Sequence, residues 1–390
     1  MTDMQTKIIR VDAEQPDDRL LEPAAQAIRN GELVAFPTET VYGLGANALN
    51  PAAVAGIFKV KGRPGDNPLI VHISSLDDLP VLVREIPPLA TKLFRAFSPG
   101  PLTLILPKSP CVPDLVTAGL DTVAIRIPAH PVARRLIELA GVPIAAPSAN
   151  RSGRPSPTRA WHVAADLAGR IPYIIEAGRS HYGLESTVVD VTGEIPVILR
   201  PGSISAGAIG EIAGDVAGPG SGQPAAPDAA PRSPGMKYRH YAPKARVIIA
   251  DAEDPAGRCR QVSGLIAESL AADCRVGLFI CRRTQAALTG IACGLVQDLD
   301  AGLAAPDSVQ ASERLIPVIC YHEQPDAAAA GAELFDALRR LDRTGVDVII
   351  AEGLPERGVG AAYMNRLRKA AGAGRQDAAC LPADPSEDLP

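Results

Sequence analysis

The sequence predicts an α/β protein of two unequal units, and three observations carry that reading. Its 390 residues exceed what one compact domain usually holds. Short apolar strands alternate with amphipathic stretches in both halves, the pattern of sheets covered by helices. Between the halves, residues 214–234 read GDVAGPGSGQPAAPDAAPRSP: five Pro, four Gly, five Ala and no aromatic side chain. Such a segment buries too little apolar surface to offset its ordering entropy, and it reads as a linker. The expected division is a first domain over 1–208, an interdomain segment over 209–244, a smaller domain over 245–375 and a tail over 376–390.

Residues 33–36 form an apolar strand running into Pro37, and 52–58 read as helix. Strands follow over 69–73 and 102–106. Residues 122–127 alternate with a period of two, which puts Thr122, Ala124 and Arg126 on one face of a strand. An amphipathic helix spans 131–140, and short strands cover 188–191 and 197–199. Beyond the linker, 246–250, 276–280 and 346–351 read as buried strands, with helices over 257–271, 327–341 and 360–370.

Composition narrows the function. A hydrophobic share of 46% against 21% charged excludes wholesale disorder. The chain carries 39 Lys+Arg and 44 Asp+Glu; residues 1–205 hold 20 of each, leaving 19 against 24 beyond. That balance argues against a protein devoted to gripping nucleic acid, and any anion site is expected in the first half, built by placing a few cations. The seven cysteines make no C-x-x-C pair, so they read as reduced thiols rather than zinc ligands. No signal-like or membrane-spanning apolar run occurs, and a cytoplasmic location is expected.

Five strings carry candidate chemistry. In AFPTETVYGLGA, Pro37, Gly43 and Gly45 punctuate a strand end where threonine hydroxyls and Glu39 gather, although a capped turn would look the same. In FKVKGRPGDNPLIVHI, Lys59, Lys61 and Arg63 alternate and would share one face of extended backbone, suiting a polyphosphate or else a solvated charge run. Asn67 lies in the following turn, and His72 interrupts an apolar strand, where it is either a satisfied core histidine or a ligand. Arg126 in DTVAIRIP, flanked by small residues, suits a carboxylate. Ser148, Asn150 and Ser156 in PIAAPSANRSGRPSPT suit phosphate or sugar, as would a plain surface loop; Ser186 in GLESTVVDV and Arg200 in ILRPGSIS complete the set. No Walker A loop, catalytic triad or G-x-G-x-x-G fingerprint is present. The site is expected to position substrates and hold charge.

Together and in this order, PTETVYGLG, KVKGRP, NPLIVHI, TVAIRIP, PSAN, ESTVVD and ILRPG resemble the threonylcarbamoyl-adenylate synthase family. SPGMKYRHYAP and GVGAAYMNRLRKAA resemble the interdomain segment and second domain of its long form. The resemblance implies a YrdC-like twisted-sheet domain followed by a Rossmann-like one. It implies condensation of L-threonine, bicarbonate or CO2 and ATP into threonylcarbamoyl-AMP and pyrophosphate, with Mg2+ accompanying the nucleotide. Thr40, His72, Arg126, Ser186 and the backbone at Ala146 would surround threonine. Lys59, Lys61, Arg63, Asn67, Thr122, Ser148, Asn150, Ser156 and Arg200 would hold ATP, with Lys61 and Arg63 acting on the reacting phosphates and Tyr238 closing over the nucleotide, a choice over Tyr241 that motif alignment alone makes. No resident metal is implied, and the product would pass to a tRNA-modifying transferase, with direct tRNA contact weak. A hydrogenase-maturation carbamoyl-transfer protein would add acylphosphatase and cysteine-rich zinc regions that this chain lacks. An RNA-binding module would need more positive charge than residues 1–205 carry.

Overall fold

The protein, seen in a computed structural model, is described over residues 4–218, 231–233, 241–288, 296–299 and 315–372. The first sheet has ten strands: β1 Lys7–Arg10, β2 Val34–Phe36, β3 Gly43–Asn47, β4 Ile70–His72, β5 Leu102–Pro107, β6 Thr122–Arg126, β7 Ile144–Ala145, β8 Tyr173–Glu176, β9 Thr187–Asp190 and β10 Val197–Arg200. Their order is β1-β8-β2-β3-β7-β4-β6-β5-β9-β10. Eight helices accompany them: α1 Asp18–Arg29, α2 Pro51–Lys61, α3 Leu79–Leu82, α4 Pro88–Phe97, α5 Asp114–Thr117, α6 Pro131–Ala140, α7 Ala160–Leu167 and α8 Ala206–Ala213.

The two faces of this sheet have different fates. Val71, Leu104, Val123, Ile125 and Val189 point into the main core, against Ile57 and Phe58 of α2, Phe94 of α4 and Ile209 of α8. On the other face, α1 and α6 cover Val34, Phe36 and Ile144 near β2, β3 and β7. The rest of that face carries a small apolar patch of Ile70, Ile105, Ala124 and Val188. Beside it, parallel pairing of β4 with β6 and antiparallel pairing of β5 with β6 set His72, Arg126 and Thr103 side by side. The period-two alternation of β6 thus sorts apolar residues to one side and the arginine to the other.

Two local expectations change. Lys59 and Lys61 belong to α2, which Asn50 caps at its start and Gly62 ends in the left-handed conformation. They therefore do not share an extended face with Arg63. GLGAN forms β3 rather than a loop, because Gly45 lets the strand press against Phe36 and Ile144, each 2.8 Å from where a Cβ would sit. Helix α8 runs through residue 208, and Ala217 pairs with the strand end at Val197.

The second sheet is wholly parallel, ordered β11-β15-β12-β14-β13. Its strands are β11 Arg246–Ala250, β12 Val276–Ile280, β13 Val296–Asp298, β14 Ile316–Cys320 and β15 Val348–Glu352; its helices are α9 Pro255–Ala271, α10 Arg282–Ala287, α11 Ala327–Arg343 and α12 Val359–Ala371. Val262 and Ile266 of α9 pack on one face. Leu334, Phe335 and Leu338 of α11 and Tyr363 and Leu367 of α12 pack on the other, and the same cluster takes in Val41 and Leu184 of the first unit. Gly183, at φ +66°, lies so close to α11 that a Cβ would sit 2.3 Å from the Ala332 carbonyl oxygen. Cys274 is disulfide-bonded, which corrects the expectation of seven reduced thiols; spacing along a chain does not say which sulfurs a fold brings together. No helix among the described residues is long and apolar enough to cross a membrane.

Candidate functional site

A pocket opens on the partly covered face of the first sheet, and ten of the sequence-nominated residues line it: Thr40, Arg63, His72, Arg126, Ala146, Ser148, Asn150, Ser156, Ser186 and Arg200. Strand ends and the loops after them deliver these groups, which places polar side chains where the ladder stops.

Arg126 forms the deep end and is almost fully buried. Its Nη1 donates to Thr40 Oγ1 at 2.8 Å, its Nη2 to Glu39 Oε1 at 2.6 Å and its Nε to the Gly100 carbonyl at 3.3 Å. A guanidinium has five N–H donors, so two remain for a ligand. Burial pushes the Glu39 carboxyl up, but the charge and hydrogen bond of Arg126 outweigh it and hold the group below its ordinary range. His72 stands beside Arg126. Burial, and then the arginine's charge, pull its pKa down to about 3, so the imidazole is neutral. Its Nδ1 lies 3.2 Å from the Ile70 carbonyl oxygen. A carbonyl can only accept, so Nδ1 carries the proton and Nε2 is left as an acceptor. The Ala146 amide is already committed to the Ile70 carbonyl at 2.9 Å.

The shallower part gathers cations and hydroxyls. Ser186 Oγ lies 2.7 Å from Thr103 Oγ1 and accepts from Arg200 Nη2 at 3.0 Å. Burial, then the charge of Arg366, lowers the Arg200 pKa to about 10, which leaves it cationic. Arg63 donates to the Asn67 and Pro68 carbonyls at 3.0 to 3.3 Å. Ser148 donates to Asn150 Oδ1, while Asn150 Nδ2 ties back to the Arg151 and Arg154 carbonyls.

Lys61 lies beneath this loop, buried, and its Nζ donates to the carbonyls of Ser148 and Asn150. Burial, then Arg63, pull its pKa well below the usual value. It braces the loop instead of lining the pocket. Asn67 is fully buried, and neither polar atom of its amide has a hydrogen-bond partner. Thr122 shares the Arg126 face at the opposite end of β6, outside the lining. Lys59 is exposed on α2 and away from the pocket, a correction that follows from the helix. Tyr238 lies outside the described residues.

Three polar lining residues, Thr38, Arg154 and Glu185, stand outside the expected site residues, and Tyr241, the alternative to Tyr238, lines the pocket as well. Thr38 Oγ1 sits 2.8 Å from Thr40 Oγ1. Arg154 pairs with Asp166 at 2.7 Å, as does Arg339 of α11. Glu185 accepts from Ser156 Oγ at 2.6 Å and from Arg366 Nε of α12 at 2.9 Å. Tyr241, at φ +68°, packs its ring 5.0 Å from that of Phe335. Burial and the Glu185 charge push its phenol up to about 12. The arginines of RSGRPSPT and the acid in GLEST were visible signals, but the groups that tie them to the second unit, Arg339 through Asp166 and Arg366, lie far along the chain.

Comparison with known proteins gives these features a family. Residues 26–202 match the family described as Telomere recombination, and residues 204–372 match the one described as Threonylcarbamoyl-AMP synthase, C-terminal domain. The threonylcarbamoyl-AMP synthase of Pyrococcus abyssi is 48% identical over 367 residues, covering 94% of this chain and 98% of that one. The enzyme of that name from Bacillus subtilis is 46% identical, covering 91% and 94%. The crystal structure of P. abyssi Sua5 complexed with L-threonine superposes with a TM-score of 0.81 at 46% identity, over 94% of this chain and 98% of that one. The chain belongs to the threonylcarbamoyl-AMP synthase family.

Proposed function

We propose that this pocket condenses L-threonine, bicarbonate or CO2 and ATP into L-threonylcarbamoyl-AMP, with release of pyrophosphate. The observation that carries the reading is the buried Arg126, held from behind by Glu39 and Thr40 with two donors to spare, at the deep end of a pocket walled by Arg63, Arg154 and Arg200. Threonine enters carboxylate first against Arg126, a charge-assisted contact. The neutral His72 accepts a hydrogen bond through Nε2 from the hydroxyl or amino group of threonine, and Ser186 lies along the flank of the substrate.

ATP occupies the shallower part. Arg63 and Arg200 take phosphate charge, Ser148, Asn150 and Ser156 hydrogen-bond the nucleotide, and the apolar patch of Ile70 and Ala124 leads its outer portion toward Thr122. Lys61 acts by holding the Ser148–Asn150 loop, and Tyr241 walls the nucleotide side. The threonine amine adds to CO2 and loses a proton. The carbamate oxygen then bonds to the α-phosphorus of ATP while the α–β bridging bond breaks, and the pair leaves with pyrophosphate. Neutralisation of that leaving group, alignment and exclusion of water supply the acceleration, so no protein nucleophile is required.

The donor set does not suit a resident divalent cation. Glu185, the one carboxylate among the described lining residues, is already taken by Arg366 and Ser156. In this reading Mg2+ travels with the phosphates and water, and no step is assigned to it. The mixed anhydride passes to a transferase that modifies tRNA, with only weak direct contact between tRNA and this chain. Incubation with ATP, L-threonine and bicarbonate should release pyrophosphate, and omission of threonine or bicarbonate should abolish it. Release indifferent to both omissions defeats the proposal.

A further inference from the structure

The nucleotide side of the pocket contains an electrostatic contradiction. It is built to take a polyanion, yet Glu185 stands on its wall with its carboxylate facing Ser156 and the Arg200 side. Burial raises the pKa of Glu185, but Arg366, then Arg200, outweigh this and hold it at about 2, so the group is ionised at any working pH. An uncompensated buried carboxylate there would repel phosphate and draw Arg200 to itself.

Arg366 answers that charge from the other domain. It lies on α12, is fully buried and reaches Glu185 Oε2 through Nε at 2.9 Å. Its Nη1 donates to the Pro201 carbonyl at 2.7 Å, and its Nη2 faces the Glu185 carbonyl at 3.4 Å. One guanidinium thus binds the residue before Ser186 and the residue after Arg200. The carboxylate it neutralises lies 181 positions earlier in the chain. We propose that Arg366 is a positioning residue for ATP: by pairing with Glu185 it cancels a carboxylate charge that would otherwise face the phosphates, so nucleotide affinity depends on α12 being seated against the first domain. The inference rests on the placement of ATP proposed above.

The test titrates α,β-methylene-ATP, whose carbon bridge replaces the bond that breaks, into the full chain and its R366M and E185Q/R366M variants, with thermal unfolding recorded alongside. R366M strands a buried carboxylate and should weaken the nucleotide about tenfold or more, whereas the double variant removes both charges and should bind within about threefold of the unchanged chain. Threonine affinity should move little in either. R366M binding as tightly as the unchanged chain overturns the proposal. So does a double variant that is folded and no better than R366M. If R366M does not fold, the double variant decides alone: binding within about threefold of the unchanged chain supports the proposal, and a folded double variant weakened about tenfold or more overturns it. Pyrophosphate release by the unchanged chain is scored separately. A chain that binds the analogue without threonine-dependent release defeats the proposed reaction, while these affinities still decide the role of Arg366.

Discussion

Both sheets carry buried carboxyl groups at or beside their strand ends, and the two sheets hold them in opposite ways. Glu352, at the end of β15, is wholly buried and accepts from the Cys281 amide at 2.6 Å, the Tyr321 hydroxyl at 2.8 Å and the Thr284 hydroxyl. All three donors are neutral, two from the residues just after β12 and β14 and one from α10, so the carboxyl group is sealed within one domain. Glu185 and Glu39 instead meet arginines, Arg366 and Arg126, on the wall or floor of a pocket. Neutral donors lock a strand end by hydrogen bonding alone. A carboxylate and guanidinium pair fixes a cation in place with donors still available. The first arrangement builds a rigid platform; the second builds a site.

Removing the pocket's deepest cation should separate the regions most sharply. Arg126→Ala is expected to lower kcat/KM for threonine by about 10²- to 10³-fold, because a charge-assisted contact is lost and Glu39 is stranded. The KM for ATP should change far less. Steady-state pyrophosphate release at varied threonine and varied ATP checks this, and equal losses for both substrates would erase the distinction between deep and shallow ends.

Acid should weaken the first region before the second. His72 has a folded pKa of about 3 and His162 of about 4, both lowered chiefly by burial from 6.5. Below 6.5 the unfolded chain binds protons that the folded chain refuses, so stability is present above that value and is lost as pH falls toward 4. At pH 5.5, one unit below the unfolded value, each histidine costs about 1.4 kcal/mol, or roughly 2–3 kcal/mol together. His162 Nε2 lies 2.9 Å from Asp336 of α11, so the seam between the domains shares the loss. Thermal midpoints at pH 7.5 and 5.5 measure the total. Hydrogen exchange at pH 5.5 should show β4 and α7 opening ahead of β12 and β15.

Smaller effects complete the contrast. Lys61→Met deprives the Ser148 and Asn150 carbonyls of their buried donor, worth about 1–3 kcal/mol, and should reduce kcat/KM for ATP about tenfold. Glu352→Gln keeps acceptor geometry on one side only and should cost about 1–2 kcal/mol of stability. Both KM values should be unchanged, as denaturant unfolding combined with kinetics would show. A KM shift in Glu352→Gln would mean that the second sheet's crest reaches the chemistry.

Much of this was legible in the sequence, for identifiable reasons. The period-two alternation of β6 put Arg126 on the polar face, and the Pro and Gly punctuation marked the loops that end at Ser148 and Arg200. What escaped notice was long-range or steric. Glycine in β3 hid a strand whose small residues exist to accommodate Phe36 and Ile144. Alternating cations at 59–63 imitated an extended face, because nothing local revealed that α2 continues to Lys61. The partners of Glu185, Asp166 and His162 are Arg366, Arg339 and Asp336, and no local pattern links residues so far apart. Those contacts are also what bring Tyr241 and α12 to the pocket.

The most direct test of the central claim follows the atoms into one product. The chain is incubated with ¹³C-bicarbonate, L-threonine and ATP, and the nucleotide fraction is analysed by mass spectrometry. A single species containing AMP, threonine and one ¹³C atom, appearing with pyrophosphate, is the predicted result. Nucleotide products that carry neither threonine nor the label, such as ADP with phosphate or free AMP formed without threonine, would contradict it.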